Sequence, residues 1–483
     1  DVEAHDWKKV VDSVRDLVGG GAAAPAASSG VAPAPRRVAI CVLPFANMSG
    51  DPEQEYFSDG ISEDIITDLS KVSALSVVAR NTAFTFKGKS VEVPELAARL
   101  KVTHVLEGSV RKAGNRVRIT AQLIDGSAGD HVWAERYDRN LDDIFALQDE
   151  ISEAIVKALK LKLLPEEKKA IERRGTESAE AYDLYLEARS LWMTGNGDAR
   201  GNEAVERLCR RAVEIDPGYA QAWALMTIGQ FNLRYTHGQS GDGGQAALER
   251  ALALNPAMAE ARAIKGVLLE EAGRHEEAAA EIAVALRLDP ESYEVNRHAA
   301  SVSYRQRRLA EAIPQFEKAV ALIETDIRTP PMLLSCYVVL GDRENARRIA
   351  GIALARVEKA VAQDRSNGTA IGAGVDALAA LGDADRAKDW MRRGLLIDPD
   401  NLLMRYNFAC VLATSLADPD SALPMLASVL ERDITGRLTR SAHTDPDFAS
   451  LREDPRFQSM MAAAVARLAE AKPADGAGAP SSA

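Results

Sequence analysis

AEARAIKGVLLEEAGRHEEAAAEIAVALRLDP, from Ala259 to Pro290, decides the fold. Apolar residues recur every three or four positions on both sides of Gly273, which is the spacing of two amphipathic helices. Counted from Ala259, the small residues Gly266, Gly273, Ala278 and Ala285 fall at the eighth, fifteenth, twentieth and twenty-seventh places. Antiparallel helices approach closely only where their contact residues are small, and a glycine between them permits the turn. The next copy, from Tyr293, puts Ala300, Ala312, Phe316 and Ala319 at the equivalent places. The period is about 34 residues.

Working outward, a copy from Ala220 has Trp223 at its fourth place, ends at Asn255-Pro256 and absorbs an insertion across Thr236 to Gly244. Gly341, Ala346 and Ala353 mark a copy from Ile327. Gly382, Ala387, Gly394 and Asp398-Pro399 mark another from Gly368, with extra residues near Gln363 between the two. With degenerate end copies, the spacing predicts six or seven helix pairs over 181–435, a solenoid. Residues 436–471 read as an extended loop and a terminal helix that caps the stack. Residues 472–483, rich in Ala, Pro, Gly and Ser, read as a disordered tail.

Upstream, residues 37–164 alternate strand and helix patterns. Val38 to Leu43 is a continuous apolar run of the kind found in a buried strand, and Ile61, Ile65, Ile66 and Leu69 share a helical face. A second helix starts at Pro94. Val105 to Lys112 and Arg116 to Ile124 form a hairpin around Ala113, Gly114 and Asn115. A strand from His131 to Glu135 precedes a long amphipathic helix over Leu141 to Leu163. Residues 19–36, GGGAAAPAASSGVAPAPR, are a linker. Residues 1–18 form an amphipathic helix, either the end of a missing upstream domain or a helix docked on the next one.

Composition narrows the function. The 483 residues are 46% hydrophobic, too apolar for a disordered chain, and the net charge of -12 argues against a general nucleic-acid or anionic-membrane surface. Cys41, Cys209, Cys336 and Cys410 lie far apart among apolar neighbours and read as reduced core residues. No apolar run approaches a membrane span, and no leader opens the chain, which favours the cytoplasm, or the periplasm if an upstream anchor exists.

The helical pattern resembles the tetratricopeptide repeat, whose stacked pairs form a superhelix with a concave groove. It departs from that pattern at Arg262 and Lys265, which replace an aromatic residue and a leucine, and at Glu324 and Glu358, which replace a terminal proline. The first domain resembles the amino-terminal domain of TolB and its relatives in CadC-type bacterial regulators. The carrying segments are VLPFANMSGDPEQEYFSDGISEDI (Val42 to Ile65), VLEGSVRKAGNRVRITAQLID (Val105 to Asp125) and WAERYDRNLDDIFALQDEI (Trp133 to Ile151). The expected fold class is an α/β domain followed by an all-α tetratricopeptide-repeat solenoid. In bacteria such a block commonly follows an effector: a class III adenylate cyclase, a winged-helix DNA binder or a Toll/interleukin-1 receptor-like (TIR-like) domain. The resemblance therefore implies a sensory or scaffolding half, the alternative being the regulatory part of a cyclase or a TIR-like NAD-cleaving enzyme.

Catalytic and metal constellations are missing from the sequence pattern. His275, Glu276 and Glu277 would need a second histidine where Ala279 stands. Gly195, Gly197 and Gly201 have the wrong spacing for a phosphate loop. Asp51, Glu53, Glu55, Asp59, Glu63 and Asp64 could hold a cation, but Asp59 or Ser58 reads better as a helix cap. Arg111, Lys112, Arg116 and Arg118 read as a solvated edge that discourages strand aggregation in preference to a nucleic-acid ribbon. Trp133 and Tyr137 read as buried aromatics. No catalytic, cofactor-binding or metal residues are assigned, and no cofactor is expected. The expected partner is a protein or peptide, or a second copy of the chain. In the repeat resemblance, inward-facing places carry Gln221, Phe231, Glu260, Glu270, Glu294, Arg297, Tyr304 and Arg328, with Arg297 and Tyr304 facing solvent.

Overall fold

Strand β1, Val38–Val42, lies inside a mixed sheet because both of its faces are apolar; Ile40, Cys41 and Val42 are fully buried. The computed structural model describes residues 38–172, 175–194 and 198–470. The readings of residues 1–36, of the tail from 472 and of Gly195 and Gly197 fall outside the described residues. A short strand, β2 (Ala46–Asn47), follows Pro44. Asp51 then accepts from the Glu53 amide at 2.9 Å and caps the 3-10 turn Pro52–Gln54, which runs straight into α1, Glu55–Ser70. Ser58 and Asp59 therefore lie inside α1 and do not cap it; the Asp51-Pro52 pair supplies the earlier start.

β3 (Leu75–Val77), α2 (Arg80–Phe84) and α3 (Val93–Leu100) lead to β4 (His104–Ala113), β5 (Arg116–Asp125) and β6 (His131–Asn140). The order is β3-β1-β4-β5-β6, with β1 parallel to both neighbours, β2 parallel to β4, and the last three strands antiparallel. β6 is longer than its sequence pattern suggests, since backbone pairing runs as far as Arg116 with Asn140. In contrast, the expected long helix is interrupted: α4 spans Ile144–Ala158, Lys160 takes a positive φ of 56°, and α5 (Pro165–Glu172) starts afresh. α1 and α4 share one core with the sheet through Ile61, Ile65, Ile119 and Ile151.

The rest is helical. Among the described residues seven antiparallel pairs follow, the first four being α6 (Ala179–Thr194) with α7 (Ala199–Ile215), α8 (Ala220–Tyr235) with α9 (Gln245–Leu254), α10 (Ala259–Glu271) with α11 (His275–Leu288), and α12 (Tyr293–Arg305) with α13 (Leu309–Leu322). The stack continues with α14 (Thr329–Val339) and α15 (Arg343–Gln363), α16 (Gly368–Leu381) and α17 (Ala384–Ile397), and α18 (Leu402–Ala413) and α19 (Pro419–Arg432). The small residues sit where the helices touch: a Cβ on Gly266 would lie 2.8 Å from Ile282 Cγ1, while Ala278, Ala285, Ala300, Ala312 and Ala319 are fully buried. Gly273 turns between its helices at φ +76°. The two departures at Arg262 and Lys265 are resolved by one partner, since both pair with Glu281 at 2.7 and 2.6 Å. The extra residues near Gln363 lengthen α15.

α20 (Arg437–Thr444), a 3-10 turn at Pro446–Leu451 and α21 (Pro455–Glu470) finish the described chain, so the segment read as an extended loop is largely helical. Phe448 anchors it between Tyr406 and Phe457, at centroid distances of 5.6 and 6.1 Å. α20 also reaches back across the stack: Arg437 pairs with Glu271 at 3.1 Å and donates to the Tyr235 carbonyl at 2.9 Å.

One apolar core runs from Ile40 in β1 through α6 to Leu268 in α10, and the described residues form a single compact unit. At the junction, a Cβ on Gly60 of α1 would meet Leu186 Cδ1 of α6 at 2.5 Å, and Lys112 of β4 pairs with Asp183 of α6 at 2.7 Å. The four cysteines are buried and free. Among the described residues, no helix is long and apolar enough to cross a membrane.

Candidate functional site

Tyr182, Tyr185, Arg189 and Trp192 of α6 are spaced three, four and three residues apart, so they occupy one helical face. That face looks onto α1 and onto the first helices of the next three pairs. Between them lies a cleft of about 580 Å³, bounded by Glu63, Asp64 and Arg80 on the sheet side and by Gln221, Glu260 and Glu294 on the repeat side. A second cleft of about 30 Å³ continues from it between α6, α8, α10 and α12, sharing Tyr185, Arg189, Gln221, Glu260 and Glu294.

The sheet-side wall is an ordered network. Glu63 pairs with Arg80 at 2.9 Å and with Arg189 at 2.5 Å. Burial works against its charge, and the two guanidiniums outweigh burial, leaving the carboxyl below its ordinary range. Asp64 accepts from Gln148 of α4 at 2.8 Å and from the Tyr182 hydroxyl. Burial dominates there and pushes its pKa up to about 6. Across the cleft, burial and the nearby Glu294 charge push Glu260 up to about 7, against the pull of Arg189.

The eight groove positions separate into three groups. Gln221, Glu260 and Glu294 meet at the cleft. Arg297 and Arg328 stack on Trp192, their guanidinium carbons 6.0 and 4.3 Å from its ring centroid. Phe231, Glu270 and Tyr304 lie elsewhere: Phe231 packs on Tyr235 at 4.8 Å, Glu270 accepts from Gln306 at 2.6 Å, and the Tyr304 hydroxyl meets Ser335 Oγ at 2.9 Å. Arg297 and Tyr304 are half-buried and do not stand in solvent as expected: the stack curls tightly enough for Trp192 of α6 to reach Arg297 of α12, and Tyr304 lies against Phe316 of α13 and Ser335 of α14.

Sequence reasoning missed Arg189, Tyr185 and Trp192; the signal was a basic residue set among aromatics on one helical face. The acidic run from Asp51 is dispersed among partners. Lys87 pairs with Glu55 at 3.0 Å and with Asp59 at 2.5 Å, while Glu63 holds two arginines. The hairpin cations are likewise engaged: Arg116 and Arg118 with Asp138, at 2.5 and 2.6 Å, Arg111 with the Met48 carbonyl and Lys112 with Asp183. Tyr137 is buried, whereas Trp133 is half-buried. Elsewhere, Cys410, Asp445 and Asp447 place one ligand atom each within 4.8 Å of one another. Asp445 is bound there to the Tyr406 hydroxyl at 2.8 Å and to the Asp447 amide at 3.1 Å, contacts that hold the cap.

Residues 228–293 and 282–327 match the tetratricopeptide-repeat family model. The chain carries tetratricopeptide repeats. Residues 36–154, ahead of the repeats, match the second domain of HilA/YgeH-like transcriptional regulators. A curated relative named putative adenylate cyclase 3, from Rhizobium meliloti (strain 1021), is 54% identical over 194 residues, 40% of this chain. The match covers 33% of that protein, so the chain spans about a third of the length of the curated relative it matches. Among solved structures, the human IFIT1 dimer with m7Gppp-AAAA aligns over 68% of this chain and 76% of its own at 16% identity, with a TM-score of 0.41. YrrB, a tetratricopeptide protein with an unusual peptide-binding site, aligns over 41% and 97% at 23% identity and a TM-score of 0.25. At these scores neither structure bears on what this chain binds.

Proposed function

We propose that this chain is the noncatalytic regulatory part of a bacterial signalling protein. A TolB-like α/β layer and the tetratricopeptide stack bind a protein or peptide and bias the output of an effector. The effector best supported is a class III adenylate cyclase domain. The observation that carries this reading is the 54% identity with a putative adenylate cyclase. A single core joining the sheet layer to the repeats supports it physically, because packed side chains shared by the two parts can carry coupling between them. An effector that consumes ATP works in the cytoplasm, which is the module's compartment in this reading; an upstream membrane anchor would instead allow the periplasm.

Of the eight groove positions, Gln221, Glu260 and Glu294 are the binding positions in this reading. Arg297 and Arg328 set the position of Trp192, and Phe231, Glu270 and Tyr304 shape the stack around them.

The test is to read the coding sequence preceding Asp1 and to measure cyclic AMP in cells expressing the whole frame, with and without residues 179–470. Metal-binding aspartates of a cyclase upstream, and a cyclic AMP level that changes several-fold on deletion, are the expected results. A DNA-binding domain in that place, which the HilA/YgeH-like match would suit, or a level indifferent to the deletion would overturn the cyclase assignment.

A further inference from the structure

We infer that the cleft between α1 and the first repeats receives a lysine or arginine side chain of a protein segment lying along the first helices of the repeats. This rests on the reading of the stack as a protein-binding module and specifies the partner's chemistry.

The charge balance of the walls sets the sign. Three cations line the cleft, and each is committed: Lys71 pairs with Asp68 at 2.9 Å, and Arg80 and Arg189 pair with Glu63. Four carboxylates on the same walls, Asp64, Glu260, Asp289 and Glu294, have no ion pair among the described residues. An anionic ligand would meet uncompensated like charge, whereas a cation would supply the missing partner. The raised titration of Asp64 and Glu260 is consistent with this excess of acid, since burial and neighbouring carboxylates outweigh the donors at Asp64 and the pull of Arg189 on Glu260.

The aromatic walls favour an organic cation over a hard metal ion. Tyr182, Tyr185, Tyr219, Tyr293 and Phe145 border the cleft, and an ammonium or guanidinium is attracted to such rings whereas a hard ion prefers a full shell of oxygens. The molecule already uses this contact at Arg328 over Trp192, 4.3 Å from the centroid, and at Lys112 over Phe57, 4.8 Å. Continuity argues for a peptide. The 580 Å³ cleft is walled by Gln221, Glu260 and Glu294, each at the start of one of three successive first helices, so a side chain seated in it would leave its backbone over those helices.

Fluorescence anisotropy with a labelled nonapeptide of alternating lysine and glycine tests the assignment, with alternating glutamate and glycine as control. The lysine peptide should bind the chain at least about tenfold more tightly than the control, and Glu260→Gln with Glu294→Gln should weaken it about fivefold or more at an unchanged melting temperature. Should the double variant melt early, Glu294→Gln alone, on the half-buried rim, carries the same expectation. Equal binding of the two peptides, or binding that survives the glutamine variants, would overturn the inference. So would N-acetyl-lysine methylamide binding as tightly as the peptide, because the repeats would then contribute nothing. Peptide binding lost while cyclic AMP still responds to deletion of the repeats would remove this inference and leave the regulatory reading intact.

Discussion

Glu63 of the sheet layer holds Arg189 of the first repeat helix at 2.5 Å, and this ion pair lines the cleft where the two parts of the molecule meet. Both side chains are largely withdrawn from water, and Arg80 completes the cluster at 2.9 Å. An ion pair in that position ties the orientation of α1 to that of α6.

Removing its negative member should therefore cost more than a surface pair would. Glu63→Gln leaves Arg189 and Arg80 facing each other without their shared carboxylate, and should destabilise the fold by about 3 kcal/mol. Urea unfolding would measure it; a change below about 0.5 kcal/mol, the size expected of an exposed pair, would show that the cluster is solvated.

The return of the C-terminal segment across the stack depends on Glu271, which pairs with Arg305 at 2.7 Å and Arg437 at 3.1 Å. Glu271→Ala should free α20 and make the chain near Arg437 and Arg440 sensitive to trypsin, at a cost of about 3 kcal/mol or more. An unchanged digestion pattern would show that the Phe448 anchor holds the segment alone.

Ala285 is fully buried between the helices of the pair that opens at Ala259. Ala285→Leu should overpack that contact and cost about 1 to 3 kcal/mol. Calorimetry would report it as a lowered melting temperature, and a neutral result would place Ala285 outside the interface.

Asp376 provides a pH signature. Burial, and secondarily the Asp447 charge, push its pKa from 3.8 up to about 7. A carboxyl with a raised folded-state pKa binds its proton more tightly in the folded protein. Its stabilising contribution is complete below pH about 4 and is lost as pH rises through about 7, by about 1.4 kcal/mol for each pH unit between those values. Asp376→Asn should consequently raise the melting temperature at pH 8 and leave it nearly unchanged at pH 4. An equal effect at both pH values would mean that Asp376 titrates as an exposed carboxyl.

Much of this architecture was legible from residue spacing. Small residues at Gly266, Ala278, Ala285 and Ala312 mark helix contacts because only small side chains permit close approach, a rule that acts locally. The alternation of Val117, Ile119, Ala121 and Leu123 likewise fixes which face of β5 is buried. Helix ends were less legible, since capping by Asp51 and the positive φ of Lys160 depend on single backbone conformations.

What the linear chain determined, then, was the set of helices and strands and the residues that pack them, because hydrophobic periodicity and side-chain size act over a few residues. Tertiary structure alone decided the site. Glu63, Arg189, Glu260 and Glu294 come from four helices, and their charges act on one another only because the curl of the stack brings them to one cleft. The same curl draws Trp192 under Arg328, 136 positions away, and turns part of an open groove into a packed interior.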